Sequence, residues 1–210
     1  MSAKHSFIPY DIRNDSIPFE ANTVKAVYCS HVIEHIEDNY VQAFFADVYR
    51  VLMPGGVFRI ACPDAEFLYN VSKCENEYWH WRKEWFESPK FYTKNPSEVQ
   101  QADYLVRETA TPSLQGYVNA NPKDYYGAFS SMGMDEFLRY ITSGLEYRKD
   151  FPGDHINYWT FDKVKAVLES AGFPAVVRSK YAGSMCKAMC ILGKFDTTYP
   201  EMSLYAEAVK

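Results

Sequence analysis

The clearest pattern in the chain is an apolar run, an amphipathic stripe, a glycine turn and a second apolar run. Val24 to Cys29 is compact, apolar and rich in β-formers, as a buried parallel strand would be. Downstream, Val41, Phe44, Phe45, Val48, Val51 and Leu52 recur at helical spacing, and Asp38 or Asn39 stands ahead of them as a cap. The pattern predicts a helix through about Leu52. Pro54-Gly55-Gly56 stops it and turns the chain into a second strand, Val57 to Ala61. Pro63-Asp64 then opens a further helix. Together these segments make a βαβ unit.

Around this unit the periodicity is weaker. Ser6 to Asp11 reads as a short extended segment, with Pro9 marking an edge strand or strand end. From about Glu75 to Phe151 the chain is irregular. Tyr78, Trp81 and Trp85 share a helical face, Pro89, Pro96, Pro112 and Pro122 interrupt the pattern, and Met134 to Tyr147 reads as a helix. Thr160 caps a helix ending at Gly172. Ala175 to Tyr181 reads as a strand, Ser184 to Leu192 as a helix more than a strand, and Leu204 to Val209 as a last strand.

Composition narrows the class. With 210 residues, 47% hydrophobic and 23% charged, the chain has the size and balance of one globular domain, 1–210, with a helical and loop insertion at about 75–150. A net charge of -5 argues against a broad phosphate-binding face, so no nucleic-acid partner is expected. Cys29, Cys62, Cys74, Cys186 and Cys190 form an odd set with no C-x-x-C spacing. That disfavours a zinc ribbon or disulfide framework and suits reduced thiols in a cytoplasm. Met-Ser-Ala-Lys-His lacks the apolar core of a signal peptide, and no apolar run is long enough to span a bilayer, so no membrane partner is expected.

Two stretches resemble a known family. Ile17-Pro-Phe-Glu-Ala-Asn-Thr-Val-Lys-Ala-Val-Tyr-Cys-Ser-His-Val-Ile-Glu-His35 is similar to the middle of class I S-adenosylmethionine-dependent methyltransferases of the small-molecule type. Tyr49-Arg-Val-Leu-Met-Pro-Gly-Gly-Val-Phe-Arg-Ile-Ala-Cys-Pro-Asp64 looks like the same family's Pro-Gly-Gly turn and fifth strand. Ala171-Gly-Phe173 and Ser203-Leu-Tyr-Ala-Glu-Ala208 fit its penultimate helix and last strand. The resemblance implies an α/β fold: a Rossmann-like methyltransferase sheet with flanking helices. It also implies S-adenosylmethionine as cofactor and methyl transfer to a small-molecule or glycan acceptor, at oxygen.

The family's first strand ends in a glycine-rich loop that lets backbone approach the cofactor, and an acidic residue after its second strand binds the ribose. No G-x-G occurs in this sequence, and nothing before Ser6 supplies either element. The N-terminal strand–helix units are therefore expected to be missing or rearranged, or completed by a partner, and an open sheet edge favours a homodimer. The alternative reading is a non-catalytic relic of the fold, a binding or assembly module.

By the resemblance, Asp11 and Ile12 would meet the adenine, and Cys29, Ser30 and His31 the methionine part of the cofactor. From the residues alone, Asp11 equally suits an Asx turn into Arg13-Asn14. His31 and His155 are the candidate bases, since imidazole titrates near neutrality. Each has a plainer reading as a helix-entry residue, and His35 reads as a buried ring with one satisfied nitrogen. His31-x-x-Glu34-His35 also spells the inverted zinc-protease motif. It follows a strand and lacks a third ligand at helical distance downstream, so no metal is expected. Cys29 as a nucleophile is disfavoured by its apolar strand. The Tyr78 to Tyr92 aromatics could be a lid, core or dimer face, while Arg50 and Arg59 read as surface or ion-pairing groups.

Overall fold

In the computed structural model, residues 6–74, 77–87, 96–115 and 124–210 are described. Pro89, Tyr92 and Pro122 lie outside them. The expected βαβ unit forms: β1 is Val24–Ser30, α1 Asp38–Val51 and β2 Leu52–Pro63, with β1 and β2 parallel. Val41, Phe44, Phe45, Val48 and Val51 are all buried on α1. Glu37 takes the cap position without a side-chain bond, and Asp38 is the first helical residue. From Val24 to Ala26 β1 advances two residues while β2 advances from Leu52 to Val57. The Pro54-Gly55-Gly56 turn is thus absorbed as a bulge, with Gly55 at φ +76°.

Asp64 caps the next helix, α2 (Ala65–Lys73), its side chain accepting from the Phe67 amide at 3.1 Å. Among the described residues the middle of the chain is helical: α3 (Lys83–Glu87), α4 (Gln101–Thr109), α5 (Thr111–Gln115), α6 (Tyr125–Ser131) and α7 (Met134–Thr142). The last is shorter than its sequence pattern because Gly144 follows in the left-handed region. Thr160 caps α8 (Phe161–Ser170) by accepting from Lys163 N–H, and β3 (Ala175–Arg178) and β4 (Ser203–Val209) follow.

The sheet runs β1-β2-β4-β3, with β4 antiparallel to both its neighbours. This mixed sheet with flanking helices is the expected α/β class. Two segments depart from expectation. Residues 6–11 form no strand: Pro9 has no N–H to give, and the chain turns at Asp11, whose carbonyl accepts from Asn14 and Asp15. Between 184 and 192 only Lys187–Cys190 is helical, as a single 3-10 turn.

Two buried clusters result. One packs α1 and α8 on the sheet around Phe45, Phe58 and Trp159. The other joins α2, α4 and α7 around Leu68, Leu105 and Phe137. Trp79 belongs to the second, stacked on Tyr104 with centroids 5.3 Å apart, and Tyr78, Trp81 and Trp85 pack against it. The described part of the aromatic stripe therefore lies in or against that core.

Candidate functional site

β1 ends where two different environments meet. Cys29 and Ser30 line a groove of about 630 Å³ along the outer edge of β1, with Ile8, Tyr10, Ile12 and Phe44 among its other walls. The next residue, His31, turns away at φ +51°, a conformation that costs a non-glycine residue free energy and concentrates at functional sites. Two hydrogen bonds hold it there, with a carboxylate alongside. Its amide donates to the Ala61 carbonyl at 2.8 Å, Nε2 lies 2.9 Å from Ser203 Oγ, and Nδ1 lies 3.1 Å from Glu34 Oε1.

Glu34 and His35 follow on a 3-10 turn, Ile33–His35, not on an α-helix. The helical geometry assumed by the zinc-protease motif is absent, yet both histidines still face Glu34: His35 Nε2 is 3.9 Å from the same Oε1. The loop before α8 is locked onto this turn. Ile156 and Asn157 amides donate to the Glu34 carbonyl, and the Trp159 indole donates to the Ile33 carbonyl at 3.0 Å. That docking brings His155 against His35, ring centroids 4.7 Å apart and nearly perpendicular. Glu34, His35 and His155 thus place one ligand atom each within 4.8 Å of one another. The third donor that sequence spacing did not supply comes from 120 residues beyond His35.

His155 is held by a bond between Nδ1 and the Glu108 carbonyl (2.7 Å), while its amide donates to Thr111 Oγ1. Burial, then Arg107 and His35, push its pKa well below the usual histidine value, so the ring is neutral at physiological pH. Beneath it, the Glu108 carboxylate accepts from Arg82 Nε and, at 2.8 Å, from Arg107 Nη1. Sequence reading missed Glu108, Arg82, Arg107 and Ser203. None sits in a recognisable spacing, and only the tertiary fold gathers them.

Of the expected cofactor contacts, Ile12, Cys29 and Ser30 share the groove, whereas Asp11 and His31 are not among its walls. The Asp11 carboxylate is engaged by the Arg13 guanidinium, the Arg13 amide and the Asn14 side chain. Those bonds hold it below its ordinary pKa, which is the Asx-turn arrangement. Inside the groove the Tyr10 hydroxyl is buried without a hydrogen-bond partner, and burial followed by nearby Asp47 pushes its pKa up to about 12. Burial also raises the Cys29 thiol, consistent with an inert side chain. Arg50 pairs with Asp47 near the surface; Arg59, by contrast, is fully buried.

Residues 2–60 match the family model described as methyltransferase domain. That stretch, about a quarter of the chain, contains β1, α1 and most of β2, and is what the chain shares with methyltransferase domains. Among curated proteins no relative matches. Solved structures give faint likenesses, each covering 96% of this chain. A possible exported protein from Bordetella parapertussis is 12% identical (TM-score 0.37, 42% of that chain), and the S-adenosylmethionine-dependent methyltransferase SibL in its apo form is 12% identical (0.39, 34%). An S-adenosylmethionine-dependent methyltransferase from Mesorhizobium loti is 14% identical (0.42, 67%). The chain therefore spans less than half the length of the first two. No helix among the described residues is long and apolar enough to cross a membrane.

Proposed function

We propose that this chain takes part in S-adenosylmethionine-dependent methyl transfer to the oxygen of a small-molecule or glycan acceptor. One observation carries the reading: consecutive residues at the end of β1 join the apolar groove, through Cys29 and Ser30, to the His31–Glu34–His35–His155 cluster. Open α/β sheets bind ligands at this carboxyl edge.

The described residues fit only one part of the cofactor. Apolar walls and the unpartnered Tyr10 hydroxyl suit the adenine ring. Asp11 is already engaged, and among the described residues that line the groove there is no carboxylate and no glycine. Bound S-adenosylmethionine would supply an electrophilic methyl group on sulfur. The residues of this chain have the task of positioning the acceptor and removing its proton. His31 is the base of this proposal: its Nε2 is engaged by Ser203 Oγ, which leaves Nδ1, 3.1 Å from Glu34 Oε1, as the nitrogen that can take a proton. His155, kept neutral by burial, is better suited to orienting His35.

Isothermal titration with S-adenosylhomocysteine tests the reading. Heat of binding at sub-millimolar ligand is expected, with affinity reduced on Tyr10→Ala. Silence at millimolar ligand would remove the proposal. The engaged Asp11 carboxylate favours one second reading, a binding module that keeps the fold without the chemistry, and that silent titration is its expected result.

A further inference from the structure

The His31-x-x-Glu34-His35 turn holds an electrostatic conflict that methyl transfer does not explain. Glu34 is 1% exposed, and neither of its carboxylate oxygens accepts a hydrogen bond. A buried carboxylate left without a donor carries the penalty of an unpaired buried charge. Its neighbours do not relieve it. His35 Nδ1 lies 2.9 Å from the Asp154 carbonyl, an acceptor, so the ring proton sits on Nδ1 and Nε2 turns a lone pair to Glu34. His155 Nδ1 is likewise committed to the Glu108 carbonyl, which leaves its Nε2 as the free donor of electrons. Ser203 Oγ donates its one proton to the Tyr199 carbonyl at 2.8 Å, with the Thr198 carbonyl also in range, so it accepts from His31 Nε2. His31 Nδ1 then also presents a lone pair, at 3.1 Å from Glu34 Oε1. Acceptors thus converge on acceptors around a buried negative charge.

We infer that Glu34, His35 and His155 form a binding site for a divalent transition-metal ion of the zinc class, with His31 alongside Glu34. The donor set, two imidazoles and one carboxylate, is one that zinc takes in sites with a free fourth position. Each ligand histidine has the outer partner that metal-bound histidines carry, an Nδ1–H on a backbone carbonyl, which fixes Nε2 for the ion. The three ligand atoms lie within 4.8 Å of each other. A tetrahedral ion with bonds of about 2.0–2.1 Å would draw them to roughly 3.3–3.5 Å. His35, the most exposed of the three, has the freedom to move inward. Arg107, the cation whose charge acts on His155, is shared with the Glu108 carboxylate. The site stands whether or not the chain transfers methyl groups.

Cobalt(II) titration of the metal-free protein, with zinc competition, tests the inference. The exposed Cys74 and Cys190 and the partly exposed Cys186 are replaced by serine first, so that thiols cannot supply the signal. Stoichiometric uptake with the visible bands of a tetrahedral N/O site, displaced by zinc, is expected. Glu34→Gln and His155→Gln should each weaken uptake more than the ~10–100-fold typical of losing an outer partner. Zinc should raise the melting temperature of the parent and leave both variants unmoved. Far-UV circular dichroism checks that each variant folds. If Glu34→Gln is unfolded, His155→Gln and His35→Gln carry the test. No uptake by the folded parent, or uptake unchanged in a folded variant, would overturn the site and leave a shared proton as the relief of Glu34.

Discussion

Arg59 sits in the middle of β2 with no exposed side-chain surface, donating to Asp196, Glu207, Ser179 and the carbonyls of Lys180 and Gly183. The pair with two carboxylates neutralises a charge that could not otherwise be buried, and the network ties the loop after β3 to the sheet. Arg59→Met removes the cation and leaves both carboxylates buried, so a loss of about 3–5 kcal/mol is expected in urea unfolding. Ion pairing at Arg59 was legible from residue type; its burial was not, because its partners lie more than a hundred residues away. The same holds at the site. His31, Glu34 and His35 stand out as a motif, but His155 joins them only through the docking of the 154–159 loop.

His155 gives a pH prediction at this scale. Its folded pKa is lowered by burial, so near and below pH 6.5 the unfolded chain binds the proton more readily than the folded one. Its contribution to stability is present above about pH 6.5 and is lost as pH falls toward the folded value, with a slope of up to about 1.4 kcal/mol per pH unit. Chemical denaturation between pH 7 and pH 5 should show stability falling, and His155→Gln should flatten that dependence.

At the scale of elements, β1, α1, β2 and α8 were legible because each is a short segment whose period, cap and stop signals agree. Ser6 to Asp11 was not. Its apolar residues suggest a strand, but strands need a neighbour, and among the described residues β1 is paired on one side only. The bulge at Pro54-Gly55-Gly56 concentrates a testable constraint. A Cβ at Gly56 would lie 2.8 Å from the Met53 carbonyl oxygen, and Gly55 adopts a backbone that L residues avoid. Gly55→Ala should cost roughly 1 kcal/mol by strain alone. Gly56→Ala should cost more and disturb the β1–β2 register, read as faster amide exchange at Ala26 and Val57. In α8, Thr160→Ala removes the cap on the Lys163 amide and should lower stability by about 1 kcal/mol in thermal unfolding.

At the scale of the whole molecule, the open edge of β1 dominates. A groove with apolar walls runs along it, and exposed strand edges invite pairing. We propose homodimer formation as one means of covering that edge. Sedimentation equilibrium at micromolar concentration should then show twice the monomer mass, and a monomer at every concentration would dismiss it. Cofactor and acceptor are assigned to opposite ends of one strand terminus, the groove at Cys29 and Ser30 and the cluster from His31 onward. Ultraviolet cross-linking of S-adenosylmethionine labelled in its methyl group, followed by peptide mapping, tests that assignment most directly. The account predicts label within residues 6–32, abolished by excess S-adenosylhomocysteine. Label that persists under competition, or that maps to another part of the chain, would contradict it.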